Sequence, residues 1–263
     1  MVDHLTGYGG PTEEDLAFAR AYLADGDMDP AVVALRADPQ RQAARRRILE
    51  QRKADDWPSL GHYRVANAAL DSRTVDVVFI GDSITEMWGV AQPDLFQNGV
   101  VNRGVSGQTS PQILLRFMAD VVALRPRAVH LMCGVNDIAG NTGPTTPDDY
   151  RNNVRAMVDL AQANAIAVIL GGMAPVTALP WVHGAGNPRS RVLELNRWLE
   201  ALAADRGLAY ADYFTPLAGP KEAFRSDLTR DGVHPTRGGY AVMRTVVAPL
   251  LHDVATERSS KPA

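Results

Sequence analysis

The spacing of apolar positions along the chain changes character near residue 72. Before that point Leu16, Phe18, Ala19 and Tyr22 recur at helical intervals within sequence rich in Ala, Arg, Asp and Glu, the pattern of amphipathic helices. Thr12, with Glu14 and Asp15 in the following turn, predicts a capped helix running to about Ala24. Asp29-Pro30 opens a second, short helix. Pro39 precedes a third, Gln40 to about Asp55, whose Arg45, Arg46, Arg47, Arg52 and Lys53 read as a solvated face. Trp57-Pro58 ends it, Trp57 and Tyr63 read as packing anchors, and Tyr63 to Leu70 leads helically into the first strand. From Val75 onward short β-type runs alternate with helical stretches. Strands are predicted at about 75–80, 99–103, 128–133, 166–171 and 208–211, and helices over about Pro111–Leu124, Pro147–Asn164, Ser190–Asp205 and Arg237–Leu251. This alternation predicts an α/β fold with a parallel sheet covered by helices on both faces. The expected division is a helical extension over 1–72, a main domain over 73–255 and a frayed polar tail over 256–263.

Composition narrows the function. With 263 residues, 46% of them hydrophobic, the chain can bury a substantial core. A formal net charge of −3 and a pI near 6.1 give no footprint for nucleic acid. No apolar run approaches a membrane span. The single cysteine, Cys133, excludes an intrachain disulfide and multi-cysteine zinc sites. His-Glu-x-x-His, Gly-x-Gly-x-x-Gly, the Walker A pattern and the Gly-x-Ser-x-Gly elbow are absent, so no metal or other cofactor is called for. Met1-Val2-Asp3-His4 lacks the layout of a secretory leader, which reads as a cytoplasmic chain, although a chain trimmed of its leader would look the same.

Candidate chemistry collects at strand ends, where parallel sheets bind ligands. Gly81-Asp82-Ser83-Ile84 follows the first strand, and Asn102-Arg103-Gly104-Val105-Ser106-Gly107-Gln108-Thr109-Ser110 follows the second as a Gly-rich turn whose N–H groups could bind an anion. Gly134-Val135-Asn136-Asp137 follows the third. Asp231-Gly232-Val233-His234 precedes the last helix and places a carboxylate within reach of one imidazole nitrogen. Taken singly, each of these reads as a cap or a turn.

Together, in this order, the four blocks resemble the SGNH hydrolase family, also called GDSL esterases and lipases. The resemblance covers about residues 75–251, with Ile84 where the family name has Leu. It implies a flavodoxin-like three-layer sandwich with a five-stranded parallel sheet, to which the N-terminal helical extension is added. It also implies that Ser83 attacks an acyl carbonyl, His234 acts as general base and Asp231 orients the imidazole, with an oxyanion hole of the Ser83 and Gly107 N–H groups and the Asn136 amide. Gly107 is expected because a β-carbon would crowd the acyl oxygen, and Asp82 and Asp137 are expected to orient turns.

The substrate is then a small-molecule ester. Pocket walls are expected from Trp88, Ile138, the loop of Met173, Ala174, Pro175 and Val176, Trp181 and Val233. Lacking a long hydrophobic flap, the chain is expected to take short acyl groups, acetyl first, on a carbohydrate or another small alcohol. The alternatives are acyl transfer, a thioesterase or lysophospholipase-type hydrolase, and a non-catalytic binding module. The extension is expected to cover part of the main domain or to mediate a homo-oligomer contact.

Overall fold

The computed structural model describes residues 12–182 and 187–260; the sequence expectations for residues 1–11 and 261–263 lie outside them. Four helices precede the first strand: α1 (Glu13–Leu23), α2 (Pro30–Ala37), α3 (Pro39–Asp55) and α4 (Arg64–Ala69). Each of the first three begins where a short polar side chain satisfies an orphan N–H. Thr12 forms a reciprocal capping box with Asp15, Asp29 accepts Ala31 N–H at 2.8 Å, and Asp38 accepts Arg41 N–H at 2.8 Å.

The remaining elements are β1 (Val77–Gly81), α5 (Ser83–Ala91), β2 (Val100–Gly104), α6 (Ser110–Asp120), β3 (Ala128–Met132), α7 (Val135–Ala139), α8 (Pro147–Ala163), β4 (Ala167–Gly171), α9 (Arg189–Arg206), β5 (Ala209–Ala211), α10 (Phe214–Leu217) and α11 (Arg237–Ser260). The last helix continues past residue 256, where the sequence suggested that a frayed tail begins.

All five strands are parallel, in the order β2-β1-β3-β4-β5. The fold is thus the expected α/β sandwich with helices ahead of it. Alternate side chains on each strand serve opposite cores. Val78 and Ile80 of β1, Val129 and Leu131 of β3 and Val168 and Leu170 of β4 pack under α6, α8 and α9, against Phe117, Met157 and Leu199. Val77 and Phe79 face the other way, with Trp88 of α5, Tyr240 and Met243 of α11, and Tyr22 and Leu23 of α1. The N-terminal helix therefore joins the main core. His130 of β3 is fully buried on this face, stacked on Phe79 and bonded to the Tyr213 hydroxyl at 2.8 Å; burial pushes its pKa down to about 3 and keeps it neutral.

The strand order reverses direction between β1 and β3, so the C-terminal ends of these two strands open a crevice. Helix α5 leaves it at very close range. A β-carbon on Gly104, the last residue of β2, would fall 2.2 Å from Glu86 N and 2.7 Å from Glu86 Cα, and backbone at that distance cannot yield locally. Gly104→Ala should therefore cost about 2–3 kcal/mol of stability through overpacking, read as a lower denaturation midpoint at unchanged m-value. Wild-type stability would show that α5 is free to shift.

Candidate active site

Asp82 ends the β1 turn and caps α5, its Oδ1 accepting Ile84 N–H at 3.0 Å. This places Ser83 at the first position of α5, over the crevice. Ser83 Oγ lies 2.9 Å from His234 Nε2, and His234 Nδ1 lies 2.7 Å from Asp231 Oδ2. The other carboxylate oxygen, Oδ1, accepts the N–H groups of Val233 at 2.9 Å and His234 at 2.8 Å. Burial by itself raises the Asp231 pKa. The hydrogen bond and charge of His234, together with these backbone donors, outweigh it and bring the carboxyl down to about 2. The acid is thus an anion across the whole neutral range. A serine, an imidazole and a carboxylate bonded in line can generate a nucleophilic alkoxide and move its proton.

Gly107 and Asn136 line the same cleft as Ser83. Gly107 has φ of +80°, and a β-carbon there would meet no protein atom within 4 Å. Its glycine is therefore required first by backbone conformation rather than by crowding within the protein. The Asn136 amide is held at both ends: Nδ2 donates to Gln108 O at 3.0 Å and Oδ1 accepts from Asn141 Nδ2 at 2.7 Å. Asp137 accepts both the N–H and the hydroxyl of Ser110, tying the third block to the start of α6. Burial raises Asp82 and Asp137 to about 6 against the hydrogen bonds they accept.

The cleft encloses about 660 Å³, and its walls differ from those expected. Trp88 is fully buried, packed edge-on to Phe79 and Tyr213. Val233 is 1% exposed and belongs to the core under α8 and α9. Ile138 lines a separate cavity beside Pro147 and Leu195, and Pro175 is buried outside the cleft. Trp181 alone of the expected wall residues lines the cleft. It is 42% exposed, its ring centroid is 6.3 Å from that of His234, and its Nε1 donates to Asn141 Oδ1 at 2.9 Å. The opposite wall comes from the N-terminal helices, with Phe18 and Tyr22 of α1, Leu49 and Arg52 of α3, and Trp57 after it. Trp57 is 38% exposed, so it faces the cleft instead of anchoring a core, and the basic side of α3 is a cleft wall instead of a purely solvated face.

The sequence model of the GDSL-like lipase/acylhydrolase family matches residues 79–242. The chain belongs to this family. Among solved structures, a GDSL-like lipase from Bacteroides thetaiotaomicron VPI-5482 is 36% identical, aligned over 75% of this chain and 99% of its own, with a TM-score of 0.73. A protein from Bacteroides fragilis NCTC 9343 is 38% identical over 75% of this chain and 98% of its own, also with a TM-score of 0.73. Among curated proteins, the uncharacterized lipoprotein YqeF of Bacillus subtilis (strain 168) is 26% identical over 137 residues, 50% of this chain and 49% of that protein. The chain thus spans about half the length of the curated relative it matches.

Within this GDSL-like site, Tyr22 and Arg230 carried no local sequence signal. The Tyr22 hydroxyl lies 2.8 Å from His234 O and 3.2 Å from Asp231 Oδ1, and it accepts Arg230 N–H at 3.1 Å. The Arg230 guanidinium in turn donates to the carbonyls of Tyr22, Ala24 and Gly26. Asn141, read from sequence as one turn former among several, is the fixed partner of Asn136. Tyr22→Phe should lower ester turnover about tenfold, as for loss of one hydrogen bond to a charged group, with a melting temperature close to wild type. Full turnover in that variant would show that α1 does not hold the triad.

Because Asp82 and Asp137 carry raised pKa values, the folded protein binds more protons than the unfolded chain between about pH 4 and 6. These two groups therefore contribute stability that grows as pH falls through that window. Asp82→Asn should flatten the dependence of unfolding free energy on pH between about 4 and 7; an unaltered slope would show that Asp82 ionises normally.

Proposed function

We propose that the protein is a serine esterase that cleaves short-chain carboxylic esters through an acyl-enzyme. The observation that carries this reading is the continuous Ser83–His234–Asp231 hydrogen-bond chain at the open end of β1. In the first half-reaction Ser83 Oγ attacks the ester carbonyl while His234 Nε2 accepts its proton. The carbonyl oxygen becomes an anion, for which the Ser83 and Gly107 N–H groups are the donors at hand, joined by the Asn136 Nδ2–H that exchanges its long 3.4 Å contact with Asp82 Oδ2 for the oxyanion. His234 then returns the proton to the departing alcohol, leaving the acyl group on Ser83. In the second half-reaction water attacks that acyl group, its proton goes to His234, and collapse of the intermediate restores Ser83 and releases the acid. Asp231 stabilises the imidazolium in both halves without itself taking the proton, as its low pKa requires.

The cleft walls support a short acyl group on a polar alcohol. Arg46, Glu50, Arg52 and Lys53 line the same space as Ser83, and a long alkyl chain laid along them would desolvate charge without replacing its hydration. Acetyl and propionyl esters should accordingly outperform octanoyl esters in kcat/KM.

The oxyanion role of Asn136 separates the catalytic reading from a merely structural one. Asn136→Ala should lower kcat by roughly 100- to 1,000-fold, about 3–4 kcal/mol, with KM nearly unchanged, because the bond strengthens in the transition state. Asn136→Asp should be worse, since it sets a carboxylate against the developing oxyanion. Full turnover with a lowered melting temperature would instead make Asn136 a turn residue.

A further inference from the structure

A donor meant for an oxyanion is left unpaired in the resting protein, so its direction has to be set by what surrounds it. Gly107 N–H has no acceptor among the described residues, and no described group donates to the Ser106 carbonyl, the other half of the same peptide. This peptide is therefore held by neither of its own groups.

The turn around it decides which half faces which way. Val105 O accepts Gln108 N–H at 3.3 Å, which makes Ser106 and Gly107 the two corners of a four-residue turn. Gly107 has φ of +80° whereas φ of Ser106 is negative, the pattern of a type II turn. A type I turn would keep the same closing bond but rotate the middle peptide by roughly 150–170°. Gly107 N–H and Ser106 C=O would then exchange directions, and an acceptor would stand where the developing anion needs a donor.

Both corners are exposed, so packing does not hold them. Glu86 holds the first corner instead. Its Oε2 accepts Ser106 N–H at 3.0 Å together with the Ser106 hydroxyl. With backbone nitrogen and side chain both anchored, the Cα–C bond leading into the middle peptide points in one direction. On the far side Asn141 Nδ2 donates to Gly107 O at 3.3 Å.

Glu86 stands three residues beyond Ser83 on α5 and lines the cleft with it. Among the described residues it makes the only side-chain hydrogen bonds between α5 and this turn. One carboxylate therefore sets the spacing between the element that offers Ser83 N–H and the element that offers Gly107 N–H. The side chain is largely buried, and burial raises its pKa against the two Ser106 bonds. His62 Nε2 lies 3.8 Å from the other oxygen, but burial and then the charge of Arg116 hold the ring's pKa down to about 4. The ring is neutral, so it does not draw the carboxylate away from Ser106.

Resting on the esterase reading above, we propose that Glu86 is a positioning residue of the reaction, holding the Ser106 corner so that Gly107 N–H converges with Ser83 N–H on the oxyanion. It touches no reacting atom. Its effect reaches the transition state through Gly107.

The test measures hydrolysis of 4-nitrophenyl acetate by two variants of similar side-chain size, one keeping an acceptor oxygen and one lacking it. Glu86→Met should lower kcat about tenfold with KM within about twofold of wild type, a part of what a lost oxyanion donor costs. Glu86→Gln keeps an oxygen for Ser106 and should stay within about threefold of wild-type kcat. Ser106→Ala, at an exposed position, removes one of the two bonds and should lower kcat about threefold. Because Glu86 acts through Gly107, adding Glu86→Met to Gly107→Ala should lower kcat by less than about twofold further. If Glu86→Met folds poorly, Ser106→Ala alone and combined with Gly107→Ala carries the same comparison. Wild-type kcat in Glu86→Met and Ser106→Ala would overturn the proposal, as would a full tenfold loss from Glu86→Met in the Gly107→Ala background. Equal losses in Glu86→Gln and Glu86→Met that follow their melting temperatures would make Glu86 a packing residue and overturn it too. Those outcomes leave the esterase reading standing, whereas a wild-type protein that hydrolyses no ester and takes no fluorophosphonate label would overturn both.

Discussion

A guanidinium shut away from water must satisfy its N–H groups within the protein, and the sheet edge that carries Ser83 is organised by one that does. Arg116 of α6 is fully buried. It donates to Gly81 O at 2.9 Å, to Gln108 Oε1 at 2.6 Å and to Asp120 Oδ2 at 2.9 Å. Gly81 precedes Asp82 and Ser83, and Gln108 follows Gly107 and offers its carbonyl to Asn136. One side chain therefore ties two strand-end loops to α6, and Gln108 extends the tie to the third through Asn136. Breaking one arm would leave a charge in a dry interior, which is far costlier than losing an exposed contact. That asymmetry makes the arrangement rigid. Rigid donors are what an oxyanion hole requires, because donors that must reorient during the reaction give back much of what they contribute.

The N-terminal helices convert this open edge into a cleft. Helix α1 supplies Tyr22 to the back of the triad and buries Leu23 in the core below, while α3 buries no residue of its own and stands as a polar wall. Further support reaches the wall from beneath: Gln108 Nε2 donates to Pro58 O at 2.9 Å, and Gln112 Nε2 donates to Trp57 O at 2.6 Å. The polypeptide that walls the cleft is thus tied to the same loop that carries Gly107.

Three of the four blocks were legible in sequence because each places particular residue types at the end of a strand, and strand ends can be found from hydrophobic runs; the fourth, ahead of the last helix, was legible from its Asp-x-x-His spacing and its order after the others. The walls were not, because nearness to a strand end says nothing about which way a side chain points. Trp88 lies five residues beyond Ser83, a rotation of roughly 140° around the helix, which carries it under the sheet. Glu86 and Met87, three and four residues on, share the face of Ser83 and line the cleft, a placement that helical geometry could have supplied. Val233 fails for a simpler reason: it adjoins His234 and points into the core. Tyr22 and the arginines of α3 offered no handle. A helix as polar as α3, with Ile48 and Leu49 adjacent rather than in a stripe, does not show which side faces inward, and a contact spanning 209 residues leaves no local trace.

That span has a consequence for how the protein is made. Tyr22 is synthesised early, and Arg230, Asp231 and His234, with which it bonds, emerge only after every strand of the sheet. Until they emerge, Ser83 lacks both the imidazole its Oγ meets and the tyrosine contact behind that imidazole. Closing so distant a contact is among the slower events of folding. On the roles proposed above, Ser83 therefore has no general base until that late block is made, and a product interrupted before it would lack hydrolase activity.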